Sequence, residues 1–298
     1  GSVNPLLLTM AANRSITANF GQHFYTWNQT GTAPWTTSTN WTPTRSVPAA
    51  NDVLLFNNGA ATAIASSVPT QTIGQLLVSG NTNVTLLPAA PATTLTIQGA
   101  GGTDLSVAAG STLQITGVSS LTLALTAGTT GNISGSTSLA GAAHKITTTD
   151  PGSLVYGSGA KCLTGVGFTG NMFGATSLNS VVFNAGSLYQ HAAGGDPFGA
   201  TPPNSVLTFM PGSRYRVDGP LLPTMSGRTY ADFEFNNNSV QSPGGINAAT
   251  MDSLTVSQGT LNMTVTGGAF IRGDIHVKLG AALSFSPVSG TPLYSMSG

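Results

Sequence analysis

Short strands that alternate apolar and polar positions return along this chain just after a glycine. Gly110 precedes Leu113-Gln114-Ile115, Gly152 precedes Leu154-Val155-Tyr156, and Gly186 precedes Leu188-Tyr189. Gly212 opens Arg214-Tyr215-Arg216-Val217, Gly259 opens Leu261-Asn262-Met263, and Gly280 opens Leu283-Ser284-Phe285. Alternation with period two predicts a strand with one face buried and the other wet. Further runs of the same kind include Leu76-Leu77-Val78, Leu95-Thr96-Ile97, Leu121-Thr122-Leu123-Ala124-Leu125, Val181-Val182-Phe183 and Phe233-Glu234-Phe235. Nowhere does an amphipathic helical period appear.

A unit this small cannot bury its apolar face alone, so repeated copies must stack. The pattern therefore predicts an all-β fold, a single-stranded parallel β-helix (β-solenoid). The glycines just named are 42, 34, 26, 47 and 21 residues apart. Coils of roughly 20–24 residues account for 21, 42 and 47 as one or two turns. The intervals 34 and 26 then require coils with excursions, and the stretch from Gly194 to Pro203 is the expected loop.

Composition narrows the class further. Nine Lys and Arg balance nine Asp and Glu, and charged residues make up 6% of the 298, against roughly 25% in an ordinary domain. A neutral chain offers no electrostatic basis for binding nucleic acid. No apolar run approaches the roughly 18 residues of a spanning helix, so no membrane span is expected. The hydrophobic content of 40%, ordered in strands, argues against disorder. Cys162 is the sole cysteine, so no internal disulfide can form. It reads as a small core side chain rather than a nucleophile, since His144, the nearest histidine, sits in no catalytic motif.

Three zones are expected. Residues 1–20 carry Met10, Asn13, Arg14, Ile16, Thr17, Ala18 and Phe20. That pattern resembles the tail of the internalin-like B-repeat module, which implies a remnant of a preceding β-grasp domain. Residues 21–70 hold all three tryptophans, Trp27, Trp35 and Trp41, followed by Asp52 and Phe56. This order resembles the opening of β-helical adhesin-like passenger regions in secreted and cell-surface bacterial proteins of the Bacteroidota type. An aromatic N-terminal cap is the expectation, because an uncapped solenoid exposes an edge that pairs with other chains. Residues 71–298 are expected to form the solenoid body, truncated at its C-terminal end.

Two charged groupings invite chemistry. Arg214, Arg216 and Asp218 alternate along one strand, and Asp232 and Glu234 follow about one coil later. Stacked coils would place them opposite one another at the roughly 4.8 Å strand spacing. The functional reading is a lyase-type acid/base or sugar-binding patch. The alternative, an outward ion ladder, is preferred because arginine-paired carboxylates make poor bases. The second grouping, Arg272, Asp274, His276 and Lys278, is expected on the outer face of a flat strand, with Ile271, Gly273, Ile275, Val277 and Leu279 inward. Its Arg272-Gly273-Asp274 tripeptide, inside a flat strand, is not expected to act as an integrin-type loop. Asp252-Ser253-Leu254 matches a short O-glycosylation acceptor pattern, and Asn28, Asn40, Asn83, Asn132 and Asn262 begin Asn-x-Ser/Thr sequons.

No catalytic residue, metal site or cofactor is indicated. The resemblance implies a non-catalytic structural or adhesive stalk, secreted or at the bacterial cell surface, with surface glycans or other cell-surface proteins as partners. A carbohydrate-active β-helix, as a lyase-type enzyme or glycan binder, is the alternative. An ice-binding solenoid is a second alternative; it needs a flat face of evenly spaced outward threonines, which the uneven coil lengths argue against.

Overall fold

The computed structural model describes residues 23–59 and 62–287 and the strand Tyr294–Met296. The B-repeat-like stretch 1–20 lies outside them. Among the described residues the chain is a stack of mostly short parallel strands with one 3₁₀ turn, Ser38–Asn40. The strands form a nine-stranded sheet, a thirteen-stranded sheet and a four-stranded sheet. All neighbours pair in parallel except Trp41–Thr42, which runs antiparallel to His23–Trp27. The expected β-solenoid is therefore present.

From Asp52 to Thr147 each coil visits the three sheets in a fixed order. Leu105–Val107 lies in the first sheet, Thr112–Ile115 in the second and Leu121–Leu125 in the third. The next coil repeats the visit with Gly131–Ile133, Ser136–Leu139 and Lys145–Thr147. Inward columns follow from the registers. Phe56, Val78, Val107, Ile133, Tyr156, Phe183 and Phe209 stack as one column of the first sheet. Each of its members is at most 5% exposed. Such a column is what a period-two pattern yields when strands stack in register.

The glycine intervals have a simpler explanation than coils with excursions. Two different corners use the same turn. Between first and second sheets, the Ser111, Ser187 and Ser213 amides donate to Ala108, Asn184 and Met210 carbonyls. On entry to the first sheet, Thr129 and Ser153 do the same to Thr126 and Asp150. The third residue is glycine each time, for example Gly212 at φ 81° and Gly128 at φ 77°, a conformation costly for a side chain with Cβ. The fourth residue is buried, and its hydroxyl returns to the turn's first carbonyl at 2.6 Å in Ser187, Ser213, Thr129 and Ser153. Gly110 and Gly152 sit at different corners, so 42 residues is not a whole number of coils. Gly186 and Gly212 share a corner, and their 26 residues are one plain coil.

Coil length varies, from 18 residues between the partners Tyr215 and Phe233 to 32 between Gly31 and Ala63. The slack is taken up at corners and in loops. After Lys145–Thr147 the third wall is no longer a sheet; segments 165–180, 192–206 and 218–228 replace it. The expected excursion at Gly194–Pro203 lies in the second of these. Coiling begins inside the zone assigned to the cap, because His23–Trp27 already stacks on Asp52–Phe56.

Candidate functional site

The first coil is closed by aromatic packing. Trp27, Trp35, Trp41 and Phe56 are at most 2% exposed. Trp41 packs edge-on to Trp27 and Trp35, with centroids 4.9 and 5.2 Å away. Its indole N–H donates to the Trp35 carbonyl at 3.0 Å, and the Trp35 indole N–H donates to Gln71 Oε1 at 3.0 Å. Rings this buried cannot serve as a stacking platform for a sugar. Asp52, placed here by sequence, is fully buried and receives Arg45 Nε at 2.7 Å and the Ala49 amide at 2.9 Å. The Arg45 guanidinium lies 5.8 Å from the Tyr25 ring centroid and 5.7 Å from that of Trp41. Sequence reading missed Arg45 altogether. It sits in a segment without periodicity, so nothing marked it as buried; the one available signal was an arginine within a tryptophan cluster that also held an aspartate.

Against Trp35, Trp41 and Arg45 lies a groove of about 380 Å³. Its other wall is Pro69-Thr70-Gln71-Thr72, at the start of the third sheet. Arg45 Nη2 and Gln71 Nε2 are buried, and neither has a hydrogen-bond partner among the described residues.

The third sheet carries a threonine array outward. Thr72, Thr96, Ala124 and Thr147 form one row across four coils. Thr94, Thr122 and Lys145 form the row beside it, and Thr70 extends that row through a bond from the Thr94 amide to its hydroxyl at 3.2 Å. The uneven coil lengths do not disturb this face, because the register holds within the sheet while the corners vary.

The ion ladder departs from expectation in its pairing and burial. Arg214 and Arg216 stand opposite Asp232 and Glu234 in register. Arg214 Nη1 nevertheless reaches diagonally to Glu234 at 3.4 Å, and Arg216 closes on Asp218, just past the end of its own strand, at 3.0 Å. Asp232 takes the Ser253 hydroxyl at 2.7 Å instead. Glu234 is not freely exposed: its side chain is 9% accessible, with the Ser257 hydroxyl at 2.5 Å and Lys278 Nζ at 3.8 Å. Long neighbours on adjacent coils cover an outward side chain, which alternation alone does not reveal. Asn236 completes the group by donating to Asp218 at 2.7 Å.

The terminal polar face is exposed as expected, with Arg272, Asp274, His276 and Lys278 each more than 60% accessible, but its setting differs. The tripeptide from Arg272 to Asp274 lies in a break between Ile246–Ile271 and Ile275–Val277, not inside a flat strand. Arg272 approaches Asp252 at 3.7 Å, and His276 approaches Asp274 at 3.7 Å. Val277 and Leu279, expected inward, are 47% and 106% exposed, while Ile271 is buried. Leu279 lies past the strand, in a turn where the Ala281 amide donates to the Lys278 carbonyl, so strand alternation does not reach it. Ser253 of the glycosylation pattern lies within a strand, and Asn40 is 8% exposed with its amide bonded to the Pro34 carbonyl.

The reactive side chains of the interior are silenced by burial. Cys162 is fully buried and its thiol is pushed up to about 12 by desolvation. Burial lowers the pKa of His144 and of His191, and their backbone hydrogen bonds oppose it without overcoming it. His144 Nδ1 accepts the Leu121 amide at 3.0 Å, and His191 Nδ1 pairs with the Tyr215 hydroxyl at 2.6 Å. No group of three or more His, Cys, Asp or Glu able to hold a metal occurs among the described residues, nor does a helix long and apolar enough to cross a membrane.

Comparison of the chain with family models, with curated proteins and with solved structures found no match.

Proposed function

We propose that this chain is a non-catalytic structural and adhesive stalk segment of a secreted or cell-surface bacterial protein. The observation that carries this reading is how its nine acids are used. Asp52 and Asp196 meet Arg45 and Arg228, and Asp218 and Glu234 meet Arg216 and Arg214. Asp104 and Asp150 accept backbone amides of neighbouring turns, Asp232 binds Ser253, and Asp252 and Asp274 meet Arg272 and His276. A lyase or glycosidase needs carboxylates held free for proton transfer or nucleophilic attack. Here eight of the nine are tied to an arginine, a hydroxyl or a backbone amide of the same or a nearby coil, and the ninth, Asp274, is an exposed surface carboxylate 3.7 Å from His276. Long in-register sheets add a stiff rod, suited to spacing and presenting a binding surface.

The test pairs two assays. Beads carrying the chain are expected to adhere to polysaccharide-coated surfaces, and the chain is expected to leave a panel of uronic-acid polysaccharides undegraded. Release of unsaturated product, abolished by Asp232→Asn with Glu234→Gln, would overturn the non-catalytic reading and promote the carbohydrate-active one.

A second reading has the threonine array behind it. Six threonines in two rows on one rigid sheet present methyl and hydroxyl groups at the strand repeat of roughly 4.8 Å, the kind of surface that can order water. Ice-recrystallisation inhibition that disappears in Thr96→Tyr would favour the ice-binding function; its absence in the unmodified chain would dismiss it.

A further inference from the structure

We infer that the groove beside the aromatic cap is a binding site for a neutral sugar unit of an extended polysaccharide. The inference rests on the adhesive reading and names the site and ligand class through which adhesion would act. Three observations support it. First, the groove is of ligand size, about 380 Å³, within the roughly 300–1,000 Å³ typical of small-molecule pockets. Second, two of its lining residues hold donors without acceptors: Arg45, 4% exposed with Nη2 unpaired, and Gln71 with Nε2 unpaired. A buried donor without an acceptor costs free energy comparable to a lost hydrogen bond; both atoms are covered in this arrangement, so a ligand oxygen gains them through a side-chain rotation that turns them into the groove. Third, the charge is already balanced. Arg45 is the one charged residue lining the groove, and Asp52 neutralises it from the far side at 2.7 Å. A carboxylate ligand would compete with Asp52 for the same guanidinium; a hydroxyl needs no counter-charge.

The remaining lining fits a pyranose in kind. Pro48, Pro69, Ala49 and Ala50 offer apolar surface for ring C–H groups, and Thr36, Thr70 and Thr72 offer hydroxyls. Thr70 and Thr72 also begin the threonine rows of the third sheet, so a chain leaving the groove along the solenoid axis continues over Thr94, Thr96 and Thr122. The path from groove to rows is continuous, which favours a polysaccharide over an isolated sugar.

The test is titration calorimetry of the full chain with cellotriose, maltotriose, chitotriose and mannotriose. At least one is expected to bind saturably. Gln71→Leu, which keeps the volume and removes the amide, is expected to weaken that binding tenfold or more. Because Gln71→Leu also strips the Trp35 indole N–H of its acceptor, Ala50→Trp provides a second block from an exposed position, and melting temperature checks the fold of both. Ser106→Trp, on the first sheet, is expected to leave binding unchanged. Failure of all four sugars to bind, or binding indifferent to both groove variants, overturns the groove site. Bead adhesion separates the outcomes: adhesion that survives Ala50→Trp keeps the stalk reading without the groove, whereas unmodified beads that never adhere remove both.

Discussion

The two halves of the solenoid solve the same packing problem with different side chains. From Asp52 to Thr147 the core is walled by three sheets and filled with Leu, Ile and Val, among them Leu76, Val107, Leu113, Leu123 and Ile133. From Leu154 to Phe235 it is walled by two sheets and loops, and it is filled with rings. Tyr156 stacks on Phe183 at 4.4 Å, Tyr189 on Tyr215 at 5.3 Å, and Tyr215 on Phe233 at 5.8 Å. The same inward column passes from Val107 and Ile133 to Tyr156 and Phe183 without a change of register. Where loops replace a sheet, larger side chains from the remaining strands and from the loops themselves, such as Phe173 and Phe198, fill the space. Parallel register then brings like rings face to face in successive coils.

The largest expected effect tests that contrast directly. Phe183 touches the rings of Tyr156, Phe173, Tyr189 and Phe209. Phe183→Ala should cost about 3–5 kcal/mol, whereas Ile133→Val two coils earlier in the same column should cost about 0.5–1.5. Chemical denaturation of the two variants measures both. Equal losses would break the claim that the ring-filled half depends on its aromatics more than the aliphatic half depends on any one residue.

The second sheet shows how much could be read beforehand. Alternation identified Tyr215, Val217, Phe233 and Phe235 as inward, and all four are fully buried. That inference needs only the period of a strand. It could not reveal which corner each glycine turned, because the same turn serves two corners, nor that the third sheet stops after Thr147. Arg45 and Arg228 were illegible for a related reason. Both are 4% exposed or less, in segments without period, and Arg228 is held by carbonyls of Asn204 and Ala200 and lies 4.6 Å over Phe198. Tertiary partners hold them there, and a local pattern carries no trace of such partners.

Each half also carries a buried histidine that makes the fold sensitive to acid, His144 in the aliphatic one and His191 in the ring-filled one. Tyr215→Phe removes the hydroxyl partner of His191 and leaves a buried ring nitrogen unpaired, at about 1–3 kcal/mol. Burial depresses the folded pKa of His191 and of His144 below the ordinary 6.5. The unfolded chain therefore takes up these protons first as pH falls. Their contribution to stability is complete above 6.5 and is lost as pH falls through the lower folded values. Melting temperature followed from neutral to acid should decline across that window, and His191→Gln should flatten the decline. A decline of the same size in that variant and in His144→Gln would remove the histidines as its cause.

The smallest effect concerns the surface network, and it separates an outward position from an exposed one. Glu234 points away from the core in register, yet it lies beneath Arg214, Ser257 and Lys278. A fully solvated ladder would give almost nothing on neutralisation, because exposed pairs contribute less than about 1 kcal/mol. Glu234 instead accepts a short hydroxyl bond while two cations face it, so Glu234→Gln should lose about 1 kcal/mol. Asp232→Asn should lose less, since its one side-chain bond comes from a hydroxyl that an amide oxygen can also accept. Arg214 and Lys278 are themselves more than half exposed and regain water when the charge is removed, which keeps the loss small. Raising the salt concentration should shrink the difference between Glu234→Gln and the unmodified chain, as screening weakens the two ion pairs. A difference that stays constant with salt would assign it to the Ser257 bond alone, and the cations would then cover Glu234 without stabilising it.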